Sequence, residues 1–125
     1  MRLLLDTHIF LWVVADDRKL SKVARHLISE AEDVFVSSAS IWEASIKAGL
    51  GKLEADVDQL VAAISASGFS ELPVKAVHAA RVRNLPDIHR DPFDRMLVAQ
   101  AMHEPLRLLT VDGHLSGYTD LVTPV

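Results

Sequence analysis

Short apolar segments alternate with longer segments of helical periodicity along this 125-residue chain. The alternation favours buried strands separated by helices. Such an order is typical of a mostly parallel sheet that is covered by helices on both faces and joined by right-handed crossovers. The sequence therefore predicts an α/β fold with strands at Leu3–Leu5, Val34–Val36, Glu71–Val74, Leu106–Val111 and Leu121–Thr123.

The longer segments carry signals for helix starts and ends. Ser21 precedes an apolar stripe with spacings of three and four residues, as expected of a capped helix that faces a core. Gly49 and Gly51 are expected to end a later helix through left-handed backbone. Asp91 and Pro92 together mark a strong helix start. The predicted helices are His8–Ala15, a helix after Ser21 that reaches Ala31, Ala39–Ala48, Asp56–Ala66, Ala76–Arg83 and Phe93–Met102.

The composition limits the chemistry that the chain can perform. Its length, with 50% hydrophobic and 24% charged residues, is that of one globular domain, and we expect a single domain spanning residues 1–125. The chain has no Cys, which excludes disulfides, thiolate metal sites and cysteine nucleophiles. The groups left for chemistry are oxygen and imidazole.

The amino-terminal segment has the look of a signal peptide, because Arg2 precedes apolar residues. Asp6 and His8 interrupt the apolar run, and each remaining piece is far shorter than the roughly 20 residues that a membrane span requires. No small-residue cleavage site follows. We therefore expect a cytosolic protein that does not enter a membrane.

Four acidic residues occupy positions that favour convergence. Asp6 and Asp112 each directly follow an apolar strand, Glu43 lies in a mostly apolar helix, and Asp94 opens the buried helix. Sites on parallel sheets form beyond the carboxyl ends of the strands. Gathered carboxylates repel one another and resist burial unless a cation binds among them. Mg²⁺ or Mn²⁺ fits oxygen ligands, whereas zinc has little support without Cys or a close His pair.

Each acid also has a purely structural interpretation. Asp6 and Asp91 are suitable helix N-caps, and Asp94 stands where a capping-box acid would. Glu43 is four residues before Lys47, a common surface ion pair. Asp112 precedes a glycine, as turn residues often do.

Other polar residues are predicted around the acids. Thr7 and Thr110 are placed to hydrogen-bond to carboxylates or to metal-bound water. His8, His89 and His114 are expected near the rim of the pocket, without the spacing of metal ligands. His26 and His78 fit the core edge or surface of helices, and Trp12 and Trp42 fit the core.

The net charge of −4 opposes binding of a polyanion. Two divalent ions would cancel it, and part of the acidic charge would then be covered by metal. Four cationic side chains are expected to flank the pocket and contact phosphates without reading bases: Lys47, Lys52, Arg90 and Arg95.

Four segments carry a family resemblance: Leu3–Trp12, Ser37–Glu43 with Lys47 and Gly51–Leu53, His89–Gln100, and Leu109–Asp112. In their order, in the residues around each acid and in total length they resemble the PIN-domain nucleases, and in particular the VapC-type toxins of bacterial toxin–antitoxin pairs. The resemblance spans nearly the whole chain.

The resemblance implies a three-layer α/β/α sandwich with a mostly parallel central sheet. It also implies a Mg²⁺- or Mn²⁺-dependent endoribonuclease in which Asp6, Glu43, Asp94 and Asp112 form an acidic quartet, with Asp6 and Asp94 as the direct metal ligands. Glu43 or Asp112 is expected to accept a proton from the attacking water, leaving a 5′-phosphate and a 3′-hydroxyl. The implied partners are an RNA substrate, a cognate VapB-type antitoxin and a second copy of the toxin in a homodimer.

Two other functions are compatible with parts of the sequence. A magnesium phosphatase of the haloacid dehalogenase type also places an Asp after its first strand, but it requires a second Asp where this chain has His8. A non-catalytic binding module with a PIN-like fold is disfavoured by the presence of all four acids.

Overall fold

The computed structural model describes residues 1–125 and contains one five-stranded sheet. Its strand order is β3-β2-β1-β4-β5, and every neighbouring pair is parallel. The predicted mostly parallel sheet is therefore confirmed. The strands are β1 Arg2–Leu5, β2 Asp33–Ser37, β3 Ser70–Leu72, β4 Arg107–Thr110 and β5 Val122–Pro124.

Six α-helices connect the strands, in the order that the sequence predicts. Two short 3₁₀ turns, Val82–Asn84 and Gly113–Gly117, complete the regular structure. None of the helices has the length and apolar character needed to span a membrane. The helices are α1 Thr7–Ala15, α2 Lys22–Glu30, α3 Ser38–Gly49, α4 Val57–Ala66, α5 Ala76–Arg81 and α6 Pro92–His103.

The sheet separates two apolar layers, as the alternation of side chains along a strand requires. In β1, Leu3 and Leu5 belong to the layer under α1 to α4, whereas Leu4 belongs to the layer under α6. All three leucines are fully buried. The predicted α/β/α sandwich follows from this arrangement, with β1 at its centre.

The central strands place the site. From β1 the chain moves outward to β2 and β3 on one side, and β4 and β5 lie on the other, so the strand order reverses at β1. The carboxyl end of β1 is fastened to β4, because the backbone N–H of Asp6 donates to the carbonyl oxygen of Leu109 at 3.0 Å. Crevices at such reversal points are the usual binding sites of parallel sheets.

Some predicted boundaries are wrong for identifiable reasons. Strand β3 ends at Leu72, directly before Pro73, which has no N–H for the ladder. Gly49 is the last residue of α3, and the left-handed residue beyond it is Gly51, with φ of +72°. Helix α5 ends at Arg81 and tightens into a 3₁₀ turn.

His78 is fully buried, so its predicted place at a helix surface or core edge is wrong. Its Nδ1 accepts the backbone N–H of Lys75 at 3.0 Å, and its Nε2 lies 2.7 Å from Oε2 of Glu104. Both ring nitrogens are thus engaged, which explains how a polar ring is accommodated inside the fold.

Ser37→Ala should destabilise the protein by about 1 kcal/mol. The buried Ser37 hydroxyl accepts the backbone N–H of Ala39 at 3.0 Å at the start of α3, and alanine would leave that buried donor without a partner. Urea denaturation measures the change. Ser45→Ala, at an exposed position in the same helix, is the matched control and should cause no loss; equal losses in both variants would contradict the assigned cap.

Candidate metal centre

All four acids predicted from the sequence line one cavity of about 440 Å³ beyond the carboxyl ends of β1 and β4. They reach it from four separate elements: Asp6 from the end of β1, Glu43 from α3, Asp94 from α6, and Asp112 from the end of β4. The structure therefore brings together every member of the predicted set. The cavity is also lined by Thr7, His8, Lys47, Asp91, Val111, Gly113 and His114.

Asp6 is both a helix cap and a lining residue of the cavity. Its Oδ1 accepts the backbone N–H of Ile9 at 2.8 Å, and its Oδ2 accepts the hydroxyl of Thr110 at 2.5 Å. Burial raises the pKa of Asp6, although these two hydrogen bonds oppose the rise. The structural and functional interpretations of this residue are thus compatible, because one carboxylate serves both.

Glu43 is only 6% exposed, so its pair with Lys47 is not a surface pair. Oε2 of Glu43 lies 2.7 Å from Nζ of Lys47, and Oε1 accepts the hydroxyl of Thr7 at 2.7 Å. Thr7 is itself hydrogen-bonded to Ser40, 2.9 Å away. The hydrogen bond to Glu43 raises the pKa of Lys47, which holds a cation at the edge of the acidic cavity.

Asp94 differs from the other three acids because its carboxylate accepts no hydrogen bond. The nearest cationic or polar ring atom is Nε2 of His89, 3.9 Å from Oδ2. Burial, followed by repulsion from Asp91, raises the pKa of Asp94 to about 7, and Asp6 and Glu43 add to the rise. Asp91 is the cap that the sequence predicts, since its Oδ1 accepts the backbone N–H groups of Phe93 and Asp94.

Asp112 is held by two histidines. Oδ1 accepts the backbone N–H of His114 at 3.0 Å and lies 3.1 Å from its Nδ1, while Oδ2 lies 3.2 Å from Nε2 of His89. Burial opposes ionisation, but the hydrogen bonds from His114 and the nearby ring of His89 outweigh it and lower the pKa of Asp112. Asp112 therefore stays ionised where Asp94 does not.

His89 is the residue whose role the sequence interpretation missed. The sequence places it on the rim, but its ring reaches both Asp94 and Asp112, and one ligand atom from each of the three residues lies within 4.8 Å of the others. Its one available signal is the closeness to Asp91-Pro92, which fixes the start of α6. The sequence gives no indication of how the loop before that helix folds back.

Two further expectations are corrected. Arg95 does not extend toward a phosphate site, because its guanidinium donates to the backbone carbonyls of Val82 and Pro86 and to the hydroxyl of Tyr118. Trp42 is 63% exposed rather than in the core, with its ring edge-on to Phe93 at 5.1 Å.

The donor set fits a hard divalent cation. Four carboxylates face one cavity, and the Asp94 carboxylate has no protein donor to satisfy it. A pKa near 7 shows that the charged form of Asp94 lacks compensation from the protein alone. Oxygen ligands of this kind suit Mg²⁺ or Mn²⁺, so the arrangement is a candidate metal centre.

Asp94→Asn should stabilise the metal-free protein at pH 8. Because the pKa of Asp94 is raised from 3.8 to about 7 in the folded state, ionisation costs stability as the pH rises through that window. The amide removes the charge, with a gain on the order of 1 kcal/mol after solvent screening. The gain should be full above pH 7 and shrink as the pH falls toward 4, as measured by denaturation in EDTA.

Asp120→Asn is the matched control, since Asp120 is exposed and lies outside the cavity. It should show little change between the two pH values. A clear loss of stability in Asp94→Asn at pH 8 would mean that this carboxylate acts mainly as a structural cap.

Comparison with known proteins places this geometry in a family. The model of the PIN domain family matches residues 3–121. Ribonuclease VapC22 of Mycobacterium tuberculosis is 27% identical over 121 residues, which is 92% of this chain and 90% of the relative.

Solved structures show the same fold at low identity. VapBC2 from Rickettsia felis, bound to a DNA fragment from its promoter, superposes with a TM-score of 0.71 at 16% identity, covering 98% of this chain and 96% of that chain. A toxin–antitoxin complex from Klebsiella pneumoniae has a TM-score of 0.68 at 18% identity, covering 98% of both chains. With its sequence matched from residue 3 to residue 121, the chain belongs to the PIN domain family.

Proposed function

We propose that this chain is a Mg²⁺- or Mn²⁺-dependent endoribonuclease, the toxin of a toxin–antitoxin pair, and that residues 1–125 form its single PIN domain. The observation that carries the proposal is the convergence of Asp6, Glu43, Asp94 and Asp112 on one cavity. Family membership and the relative named ribonuclease VapC22 support it. An RNA substrate would place the activity in the cytoplasm. The PIN domain match over residues 3–121 removes the ground for the phosphatase alternative.

Asp6 and Asp94 are the proposed direct ligands of the cation, with Glu43 and Asp112 completing the acidic site. When bound, a divalent cation supplies charge to stabilise a phosphoryl transition state and lowers the pKa of water. Asp94 provides the carboxylate that no protein donor occupies, and Asp6 provides one whose position is fixed by α1.

The protein's own groups then bind, orient and deprotonate. Lys47 lines the cavity beside Glu43, where its ammonium group can contact a phosphate oxygen. Either Glu43 or Asp112 accepts the proton of the attacking water. Asp112 is the more accessible, with a side chain 30% exposed against 7% for Glu43. In-line attack by water leaves a 5′-phosphate and a 3′-hydroxyl and does not use the RNA 2′-hydroxyl.

Asp6→Asn should lose metal-dependent RNA cleavage by about a hundredfold or more, because the amide cannot supply the charge that the cation requires. The fold should persist, since Asn also caps helices well. The measurement is cleavage of end-labelled RNA with Mg²⁺ or Mn²⁺, with thermal unfolding recorded in parallel.

Asp120→Asn controls for the loss of one surface charge and should retain activity. Full activity in Asp6→Asn, or wild-type cleavage undiminished by EDTA, would rule out the metal-dependent mechanism. Products with a 5′-hydroxyl would rule out attack by water in favour of attack by the 2′-hydroxyl.

An antitoxin is the proposed protein partner. A groove of about 630 Å³ runs beside the acidic cavity, between α1 and α4, and shares Thr7, His8 and Lys47 with it. A protein segment bound there would cover the entrance to the acids. Solved structures similar to this chain include a toxin–antitoxin complex, which supports the proposal. The apolar residues of the groove include Leu11, Trp12, Val14, Leu53 and Leu60.

A homodimer is the second proposed assembly. The exposed Trp42 and its neighbour Phe93 line an apolar cavity of about 410 Å³ together with Val74 and Met96. A large aromatic side chain that is 63% exposed in an apolar patch is typical of a protein interface. We propose that this face meets the same face of a second copy.

Trp42→Glu should convert the dimer into a monomer, because a charge at the centre of an apolar interface must be desolvated. Size-exclusion chromatography with light scattering measures the mass. Val23→Glu, at an exposed apolar position on α2, is the control and should leave the dimer intact. A wild-type monomer, or a dimer that survives Trp42→Glu, would contradict this interface.

A further inference from the structure

The ring of His89 stands between two acids of the candidate metal centre. Its Nε2 lies 3.2 Å from Oδ2 of Asp112 and 3.9 Å from Oδ2 of Asp94. The shorter distance is that of a hydrogen bond, and the longer one is not. His89 therefore acts on Asp112 directly and only lies near Asp94.

The tautomer of His89 follows from its other nitrogen. Nδ1 accepts the backbone N–H of Asp91 at 3.1 Å, so Nδ1 carries a lone pair and the ring proton is on Nε2. Nε2–H then donates to Asp112, and this nitrogen has no lone pair for a metal. Although His89, Asp94 and Asp112 are close enough to surround a cation, His89 is a donor in this arrangement rather than a ligand.

The loop that carries His89 is fastened at several points. The backbone N–H of His89 donates to the hydroxyl of Tyr118 at 2.8 Å, and the guanidinium of Arg95 donates to that same hydroxyl at 3.2 Å. Arg95 also donates to the carbonyls of Val82 and Pro86, at either end of the segment before the loop. The ring is thus held in place by its own backbone and does not depend on Asp112 for its position.

Two independent donors fix the Asp112 carboxylate. The backbone N–H of His114 holds Oδ1, and Nε2–H of His89 holds Oδ2. One donor on each oxygen fixes the plane of the carboxylate, whereas a single donor would leave it free to rotate. Donors that orient a metal-site carboxylate in this way raise its effectiveness as a ligand.

We propose that His89 is a positioning residue of the acidic centre, which orients Asp112 through Nε2–H so that the carboxylate is set before a cation arrives. The proposal rests on the proposed function, since it assumes that Asp112 serves a bound cation. It adds a fifth functional side chain to the four acids. It also assigns the Arg95 and Tyr118 contacts the task of holding the His89 loop.

The test compares Mn²⁺ affinity, by isothermal titration calorimetry, in wild type, His89→Ala, His89→Gln and His26→Ala. His89→Ala should bind Mn²⁺ about tenfold more weakly or worse, whereas His89→Gln, whose amide N–H reaches a similar position, should stay within about threefold of wild type. His26→Ala, at an exposed position on α2, controls for loss of a histidine and should be unchanged. At saturating Mn²⁺, kcat should fall in His89→Ala while KM for RNA stays the same.

The outcomes separate this proposal from the proposed function. Unchanged Mn²⁺ affinity in His89→Ala, with normal binding by wild type, would overturn the role of His89 and leave the metal centre intact. Equal losses in the alanine and glutamine variants would show that His89 has a packing role only. Absence of Mn²⁺ binding by wild type would overturn the metal centre, and the role of His89 with it.

Discussion

Mutual repulsion among buried carboxylates is the constraint on which the rest of this structure depends. Asp6, Glu43, Asp94 and Asp112 come from four segments, and no short stretch of chain could present them together. The parallel sheet does so because the carboxyl ends of its strands share one edge. Fully buried leucines in β1 and β4 hold that edge rigid, and the free energy of apolar burial offsets the cost of crowding the acids.

The protein compensates three of these charges and leaves the fourth. Asp6 receives hydrogen bonds from Ile9 and Thr110, Glu43 from Thr7 and Lys47, and Asp112 from its two histidines. Only Asp94 has no donor, and only its pKa rises to about 7. This inequality is what a cation site requires. Three ligands are oriented in advance, and one unsatisfied charge provides the main gain when a cation binds.

The sequence predicted the features that local chemistry determines. Strand and helix order follows from apolar periodicity, and the caps at Ser21, Ser37 and Asp91 follow from side chains that accept backbone N–H groups. The convergence of the acids followed from the rule that sites form at strand ends, and the choice of these four as a quartet from resemblance to the PIN-domain nucleases. The cationic flank at Lys47 was also predictable, since Glu43 stands one helical turn before it.

Features that depend on tertiary folding were missed. Arg95 is bound to carbonyls of a loop whose path no periodicity encodes, and His89 reaches Asp112 through that same loop. His78 is buried because Lys75 and Glu104 satisfy both ring nitrogens, and Glu104 is 26 residues away in sequence. Trp42 is exposed although its neighbours along the chain are apolar, because α3 turns that side away from the sheet.

Anomalous diffraction from crystals soaked in Mn²⁺ tests the central claim most directly, since it locates the cation without reference to activity. The account predicts a manganese peak inside the acidic cavity, within ligand distance of Asp94 and Asp6. A cavity without manganese in crystals that bind the ion elsewhere, for instance beside His78, His103 and Glu104, would contradict it.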